Sequence, residues 1–245
     1  MIPGLVLGTR MEKAIMSDWT PVAGLRIAID GPSGSGKGTV AKLVGEELAL
    51  PVLDTGLLYR FLGWLSSERQ TDIADENAVL KLLHHVISDI EWRAEGIFFE
   101  NRDCTALLRG EDVGASASKV AAMPQVRHVL LELQRKLSGQ GCVMDGRDIG
   151  TIVLPEAEAK FFLTASQRER ARRRWAQLSQ GDSEVSLQQI VEDLKTRDAR
   201  DSGRECSPLE KAKDAIQIDS TTLRIDEVVD RVLAVLERRA LIKRV

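Results

Sequence analysis

Ile27-Ala28-Ile29-Asp30-Gly31-Pro32-Ser33-Gly34-Ser35-Gly36-Lys37-Gly38-Thr39 decides how this chain is read. A short apolar run stops at a glycine-rich turn that ends in Gly-Lys-Gly-Thr. A helical pattern follows, with Val40, Leu43, Val44 and Leu48 on one face. That is the layout of a phosphate-binding loop. Glycines let the backbone wrap closely around an anion, so that several N–H groups point at one phosphate, and the helix start adds its positive dipole end. Gly31, Pro32, Ser33, Gly34, Ser35, Gly36, Lys37, Gly38 and Thr39 are therefore the expected donor-phosphate residues. Lys37 supplies a mobile charge for the outer phosphates, and Thr39 offers a hydroxyl near a metal ion. The strict motif places Ser or Thr directly after the lysine. Gly38 intervenes here, so the match is to a variant.

At 245 residues the chain suits one main domain with insertions. A net charge of -3 creates no global field toward nucleic acid or anionic membrane. No apolar run reaches membrane-spanning length. In the first residues Arg10 and Lys13 follow the apolar stretch rather than precede it, which is not the order of a signal peptide. A cytoplasmic protein is expected. Cys104, Cys142 and Cys206 lie far apart without metal-ligand spacing and read as reduced, mostly structural thiols. His84, His85 and His128 have no ligand partners at suitable spacing.

Beyond the loop, short apolar strands alternate with amphipathic helices. Strands are expected at Leu25 to Ile29, Pro51 to Leu53, Gly141 to Met144, Ala159 to Leu163 and Ala215 to Ile218. Such alternation implies an α/β fold with a five-stranded parallel sheet, helices on both faces and ligands beyond the carboxyl ends of the strands. Residues 1–23 carry no sustained period and are expected to be a loose, dispensable extension. Residues 24–69 and 117–245 form the core. Residues 70–116 break the pattern, with a hairpin signal around Ala94-Glu95-Gly96, and read as an insertion. Ser166 and Glu169 form a capping box ahead of an arginine-rich helix, and Ser186 with Gln189 repeats the pattern. Gln180-Gly181-Asp182-Ser183 lies between them, so residues 166–186 read as a hinge-mounted lid.

Two charged clusters follow strands: Asp54-Thr55-Gly56-Leu57-Leu58-Tyr59-Arg60 and Asp145-Gly146-Arg147-Asp148. Arginine's planar fork suits phosphate, so Arg60 and Arg147 at neighbouring strand ends suggest a second phosphate facing the first. The plainer alternative is local salt bridging with the aspartates, of the kind common on surfaces. On the arginine-rich helix, Arg170, Arg173 and Arg174 share a face. Arg197, Asp201 and Arg204 recur at helical spacing, although Gly203 can end that helix and leave Arg204 to the following turn.

Taken in order, the phosphate loop, Leu53-Asp54-Thr55-Gly56…Tyr59-Arg60, Ala117-Ser118-Lys119-Val120-Ala121…Pro124-Gln125-Val126-Arg127, Asp145-Gly146-Arg147-Asp148-Ile149-Gly150-Thr151 and Arg197-Asp198-Ala199-Arg200-Asp201…Arg204 resemble the bacterial cytidylate kinases of the P-loop nucleoside monophosphate kinase family. The likeness runs from about Leu25 to the C-terminus. It implies a P-loop three-layer fold with an inserted monophosphate-binding subdomain at 70–116 and a helical lid. It implies an ATP-dependent CMP and dCMP kinase, with Mg2+ held mainly by phosphates and water, Thr39 being the one protein group offered to it. By this resemblance Arg60 and Arg147 hold the CMP phosphate. Ser118, Arg197 and Asp201 approach its sugar, and Thr55, Arg127, Asp148 and Arg204 surround cytosine. Lys37, Arg147 and the lid arginine Arg173 carry catalysis. Leu57 departs from the alanine that the family often has there.

The closest competing reading is a kinase for UMP or another monophosphate. A nucleotide-binding switch is a different class, opposed by the absence of a guanine-reading Asn-Lys-x-Asp or Thr-Lys-x-Asp motif. A nucleic-acid reader using Arg168 to Arg174 is opposed by near-neutral charge and few neighbouring aromatics. ATP, CMP and dCMP are the expected partners, without nucleic acid or membrane, and a monomer is expected.

Overall fold

The strand that leads into the phosphate loop lies at the centre of the main sheet. In the computed structural model, which describes residues 17–93, 96–178 and 186–245, Arg26–Asp30 forms β2, nearly all of it buried. The strands are β1 (Trp19–Pro21), β2, β3 (Val52–Asp54), β4 (Ile90–Arg93), β5 (Gly96–Phe99), β6 (Arg102–Asp103), β7 (Cys142–Gly146), β8 (Ala159–Thr164), β9 (Ile216–Asp219) and β10 (Ile242–Arg244). The α-helices are α1 (Lys37–Leu48), α2 (Gly56–Glu68), α3 (Glu76–Val86), α4 (Glu111–Val120), α5 (Pro124–Leu137), α6 (Gln167–Leu178), α7 (Leu187–Ser202) and α8 (Ile225–Arg238).

The described chain divides into two compact units, Ser17–Leu53 with Gln140–Val245, and Asp54–Gly139. The five-stranded parallel sheet has the order β3-β7-β2-β8-β9. β2 pairs with β7 on one side, Ile29 opposite Asp145 and Asp30 opposite Gly146, and with β8 on the other, Ile29 opposite Phe161. Ile27, Ala28 and Ile29 are fully buried, so neither face of the strand meets water, which explains its run of apolar residues. The core joins Ile27 and Ile29 of β2, Val143 of β7 and Phe161 of β8 to Val40, Val44 and Leu48 of α1 and Val228, Val232 and Leu236 of α8. The chain leaves β2 toward the β7 side of the sheet, while β8 lies on the other, so the phosphate loop sits at the switch in strand order where α/β folds bind ligands.

Residues 17–23 are not part of a loose extension. β1 pairs antiparallel with β10, Trp19 opposite Arg244 and Pro21 opposite Ile242. Trp19 packs against the core, and the Arg244 guanidinium lies 5.0 Å above its ring. Sequence periodicity could not reveal this strand because three residues are too few to show a period, and its partner lies at the other end of the chain. Residues 1–16 of the expected extension lie outside the described residues.

The Asp54–Gly139 unit is broader than the 70–116 insertion suggested by the sequence. It includes α2 and α5, and it contains the hairpin expected near residue 95, built as an antiparallel β4-β5-β6 sheet with Trp92 opposite Ile97. Residues 94–95 of that turn lie outside the description. Within the unit α2 packs closely on α4: a Cβ at Gly63 would lie 2.9 Å from Ser116 Cβ. Phe61 stacks edge-on with Phe99, ring centroids 5.2 Å apart. Both α4 and the short β6 escape the sequence reading; α4 contains Gly114, Ser116 and Ser118 and few apolar residues from which to read a period.

The serine half of each capping box forms, while the Ser166 N–H is taken by Thr221 Oγ1 at 2.9 Å and the Glu169 carboxylate by Arg172 and Arg173. Ser166 Oγ accepts the Glu169 N–H at 3.3 Å, and Ser186 Oγ accepts that of Gln189 at 3.1 Å. The Gln180 to Ser183 break lies outside the described residues.

Candidate active site

The phosphate loop runs between β2 and α1, and its geometry is built by glycine. Gly31 has φ 152°, and a Cβ there would fall 2.1 Å from the Leu163 carbonyl oxygen. Gly36, at the N-cap of α1, is left-handed with φ 90°. An L side chain would clash at the first and be strained at the second. By contrast, a Cβ at Gly38 would sit 3.6 Å from Asp145 Oδ2, an ordinary contact. Space alone does not require the glycine that sets this loop apart from the strict motif.

Lys37 is buried, with Nζ 3.4 Å from the Pro32 carbonyl oxygen. From α6, Arg170 donates to Ser33 O at 3.0 Å and to Ala165 O at 3.1 Å, and it pairs with Asp198 of α7 at 2.7 Å. Arg173 donates to Ser35 O at 3.2 Å, to Ser220 Oγ at 3.0 Å and to Ser220 O at 2.6 Å. Thus Arg170 and Arg173 do share a face, and that face is turned to the loop. Glu169 joins Arg172 and Arg173 at 2.8 Å each, and hydrogen bonds from Arg172 and then Arg173 bring its carboxyl down to about 2. Beside the loop lies a cavity of about 510 Å3. Gly34 to Gly36, Thr39, Glu169, Arg173 and Ser220 give it a polar wall, and Leu223, Ile225 and Val228 an apolar one. A charged phosphate cradle beside a partly apolar recess is the form a nucleotide needs.

The segment after β7 carries Arg147 and Asp148. Because β7 is hydrogen-bonded to β2, this segment and the phosphate loop emerge side by side from neighbouring strands. Arg147 Nε donates to Asp201 Oδ2 at 2.9 Å, and Arg204 pairs with the other oxygen of the same carboxylate. Burial pushes the Asp201 carboxyl up, but the charges of Arg147 and Arg204 outweigh it and hold the group below the ordinary range. α7 ends at Ser202 with Gly203 as its cap at φ −90°, so the turn that follows, rather than helical spacing, aims Arg204 back at Asp201. Arg197 lies one turn before Asp201 on α7 and adds to the positive field around it. Asp148 is buried.

The other expected acceptor residues lie in the Asp54–Gly139 unit. Thr55 is buried at the start of α2. Arg60 of α2 donates to Leu108 O at 2.8 Å and Gly110 O at 3.2 Å. A Cβ at Gly114 would stand 3.2 Å from its Nη2, so a small residue on α4 leaves room for the guanidinium. One helical turn on, Ser118 Oγ donates to Gly114 O at 3.2 Å, which brings Ser118 to the Arg60 neighbourhood. Arg127 donates to Ala121 O at 3.1 Å, and its guanidinium lies 5.4 Å from the Tyr59 ring centroid, within cation–π range. Sequence reasoning assigned no role to Tyr59 or Gly114. The only signal was their position, Tyr59 beside Arg60 and Gly114 one turn before Ser118.

The family model for cytidylate kinase matches residues 27–238. This chain belongs to the cytidylate kinase family. A cytidylate kinase of Carboxydothermus hydrogenoformans is 46% identical over 218 residues, covering 88% of this chain and 98% of that protein. A cytidylate kinase of Vibrio cholerae is 44% identical over 229 residues, covering 91% and 99%. A cytidylate kinase of Stutzerimonas stutzeri is 47% identical over 215 residues, covering 85% and 93%. The β1–β10 pair falls outside the stretch matched by the family model.

Kinases of this family imply a magnesium nucleotide. Among the described residues no three His, Cys, Asp or Glu side chains gather as a metal cage. Hard oxygen donors are present beside the loop: the Thr39 hydroxyl in the first turn of α1, and the buried Asp145 carboxylate, which faces that turn at Gly38. This set fits Mg2+, which keeps several waters and takes most remaining ligands from phosphate. Asp145 was not among the expected site residues. The signal for it was an acidic residue closing an apolar strand next to the loop. Cys104 and Cys142 are free and buried, and burial pushes the Cys142 thiol up to about 12, so it is no nucleophile.

Proposed function

We propose that this protein transfers the γ-phosphate of ATP to CMP or dCMP, giving ADP and CDP or dCDP. The observation that carries this reading is the pairing of β2 with β7. It brings the phosphate loop beside the segment that carries Arg147 and Asp148, which supports reading that segment as part of the acceptor site. The loop N–H groups, the α1 terminus and Lys37 hold the donor phosphates. Mg2+ would be held by those phosphates, with Thr39 and Asp145 as its protein oxygens, and would neutralise charge on the transferring group. Arg147 and Arg60 hold the acceptor phosphate, Ser118, Arg197 and Asp201 its sugar, and Thr55, Arg127, Asp148 and Arg204 its base. The attacking phosphate oxygen has a second pKa of roughly 6 and is already mostly ionised at neutral pH. Positioning and electrostatics therefore suffice, and no general base is needed. Arg173 beside the donor cavity acts as a lid arginine. The reaction is assigned to the cytoplasm and to a monomer; among the described residues no helix is long and apolar enough to cross a membrane.

The test is a panel of monophosphates with ATP and Mg2+, following ADP release. CMP and dCMP should turn over far better than UMP, AMP or GMP. Preference for UMP would move the acceptor assignment, and ATP binding without any acceptor turnover would favour a switch.

A further inference from the structure

Arg170 of α6 is buried, and its guanidinium ties together Ser33 of the phosphate loop, Ala165 just past β8 and Asp198 of α7. α6 is held against the loop at this point. A Cβ at Gly34, where φ is 77°, would fall 3.0 Å from Arg170 Cβ and 3.1 Å from Arg170 O. One helical turn beyond Asp198, Asp201 of the same helix holds Arg147 at 2.9 Å and also Arg204. α7 is thus tied to the donor loop at Asp198 and to the acceptor segment at Asp201. The apolar contact between α6 and α7 is a cluster of Ala171, Ile190 and Leu194, apart from the main core. So small a cluster fixes the helix poorly. Desolvation offsets much of the attraction in a buried ion pair, so the pair adds little net stability. What the planar guanidinium adds is direction: it sets where Asp198, and α7 with it, stands relative to Ser33.

We propose that Arg170 and Asp198 are positioning residues that couple the two nucleotide sites. A donor nucleotide on the phosphate loop fixes Ser33 and, through Arg170 and Asp198, holds α7 where Asp201 presents Arg147 to the acceptor phosphate. This rests on the donor and acceptor roles given above to the loop and to Arg147. Neither side chain has to touch a nucleotide. The Arg170 guanidinium is already directed to two carbonyls and a carboxylate. The coupling arises because ordering is shared. The first nucleotide meets the cost of fixing the loop, α6 and α7, and the second binds to a helix already in place. Such coupling is reciprocal, so each nucleotide tightens the other by the same factor.

The experiment is calorimetry on the full chain. It measures Kd for CMP with and without a saturating non-hydrolysable ATP analogue and Mg2+, and Kd for the analogue with and without CMP. In the wild type each should tighten the other about fivefold or more. Asp198→Asn keeps the shape and loses the charge, and its factor should fall below about twofold, close to no coupling. Arg170→Lys keeps the charge and loses the fork that reaches Ser33 and Asp198 together, and should lose the coupling likewise. No coupling in the wild type, or full coupling in Asp198→Asn, would overturn the proposal. A merely structural role would weaken both nucleotides and leave the factor unchanged. Should Asp198→Asn fail to fold, Arg170→Lys decides by the same factor. Amide hydrogen exchange gives a readout apart from CMP. The ATP analogue alone should slow exchange across Leu187–Ser202 in the wild type, and unchanged exchange there overturns the proposal. A wild-type chain that does not bind CMP would refute the functional reading, while this exchange still decides whether the donor loop governs α7.

Discussion

Arg147 and Asp201, on segments far apart in the chain, meet at 2.9 Å with Asp201 almost completely buried. The carboxylate is shared with Arg204, so one buried anion orients two arginines assigned to different parts of the acceptor. Replacing Asp201 by Asn leaves two guanidinium groups near each other without their counter-ion. Breaking a buried pair this way costs about 3–5 kcal/mol. We expect a clear loss of thermal stability and a much weaker KM for CMP, with KM for ATP little changed. Because the folded carboxyl lies below its ordinary range, this contribution is present above about pH 4 and is lost as pH falls through the folded value. An Asp201→Asn chain with wild-type Tm and wild-type CMP affinity would contradict the arrangement.

Lys37→Ala should keep the fold and lose about a hundred- to a thousandfold in kcat. One preorganised charge at the transferring group is typically worth about 3–4 kcal/mol. Circular dichroism checks the fold and single-turnover kinetics the step. Near-normal turnover in a folded variant would remove Lys37 from the catalytic set.

Asp148→Ala should narrow the preference for CMP over UMP. The two bases differ at the 4-position: an ionised carboxylate accepts from the cytosine amine and repels the uracil oxygen. A mismatched buried group costs about 1–3 kcal/mol, so efficiency with CMP should fall by about tenfold or more and with UMP far less. If both fall by one factor, Asp148 serves only to orient neighbouring arginines.

The contribution of Asp30 to stability should rise as pH is lowered from about 7 toward about 4, opposite in sign to that of carboxylates such as Asp201 and Glu169. Burial pushes the Asp30 carboxyl up to about 6, with the Gly150 and Ile149 backbone N–H groups and Arg147 opposing and Asp148 reinforcing the shift. Between the unfolded value near 4 and the folded value, the native chain binds a proton that the unfolded chain does not, so protonation favours the fold, by up to about 3 kcal/mol. Thermal melts of wild type and Asp30→Asn across this window should diverge, the wild type gaining more. Parallel curves would place the proton elsewhere.

A chain starting at Ala23 should be less stable than the full chain, contrary to the reading of residues 1–23 as dispensable. It lacks β1 and the Trp19 side chain that packs on the core beneath Arg244. Losing a large half-buried apolar group and its strand costs about 1–3 kcal/mol, or several degrees in Tm at about 2–4 °C per kcal/mol. An unchanged Tm would show that the β1–β10 pair contributes nothing.

The sequence by itself determined the parts whose causes are local. The phosphate loop follows from glycines that tolerate its backbone, and the order of strands and helices follows from runs long enough to show a period. The serine caps at Ser166 and at Ser186 follow from partners three residues apart. The family was legible because its motifs are contiguous words. Only the tertiary structure decided which strands became neighbours, that Arg170 of α6 reaches both Ser33 and Asp198, and that Asp30 accepts the N–H of Ile149, 119 residues away. It also decided that Trp19 pairs across from Arg244. These are bonds between groups distant in sequence, often to backbone atoms that every residue carries, so no local pattern of side chains marks them. They exist because a buried donor or acceptor must find a partner, and the packed fold selects which partner is within reach.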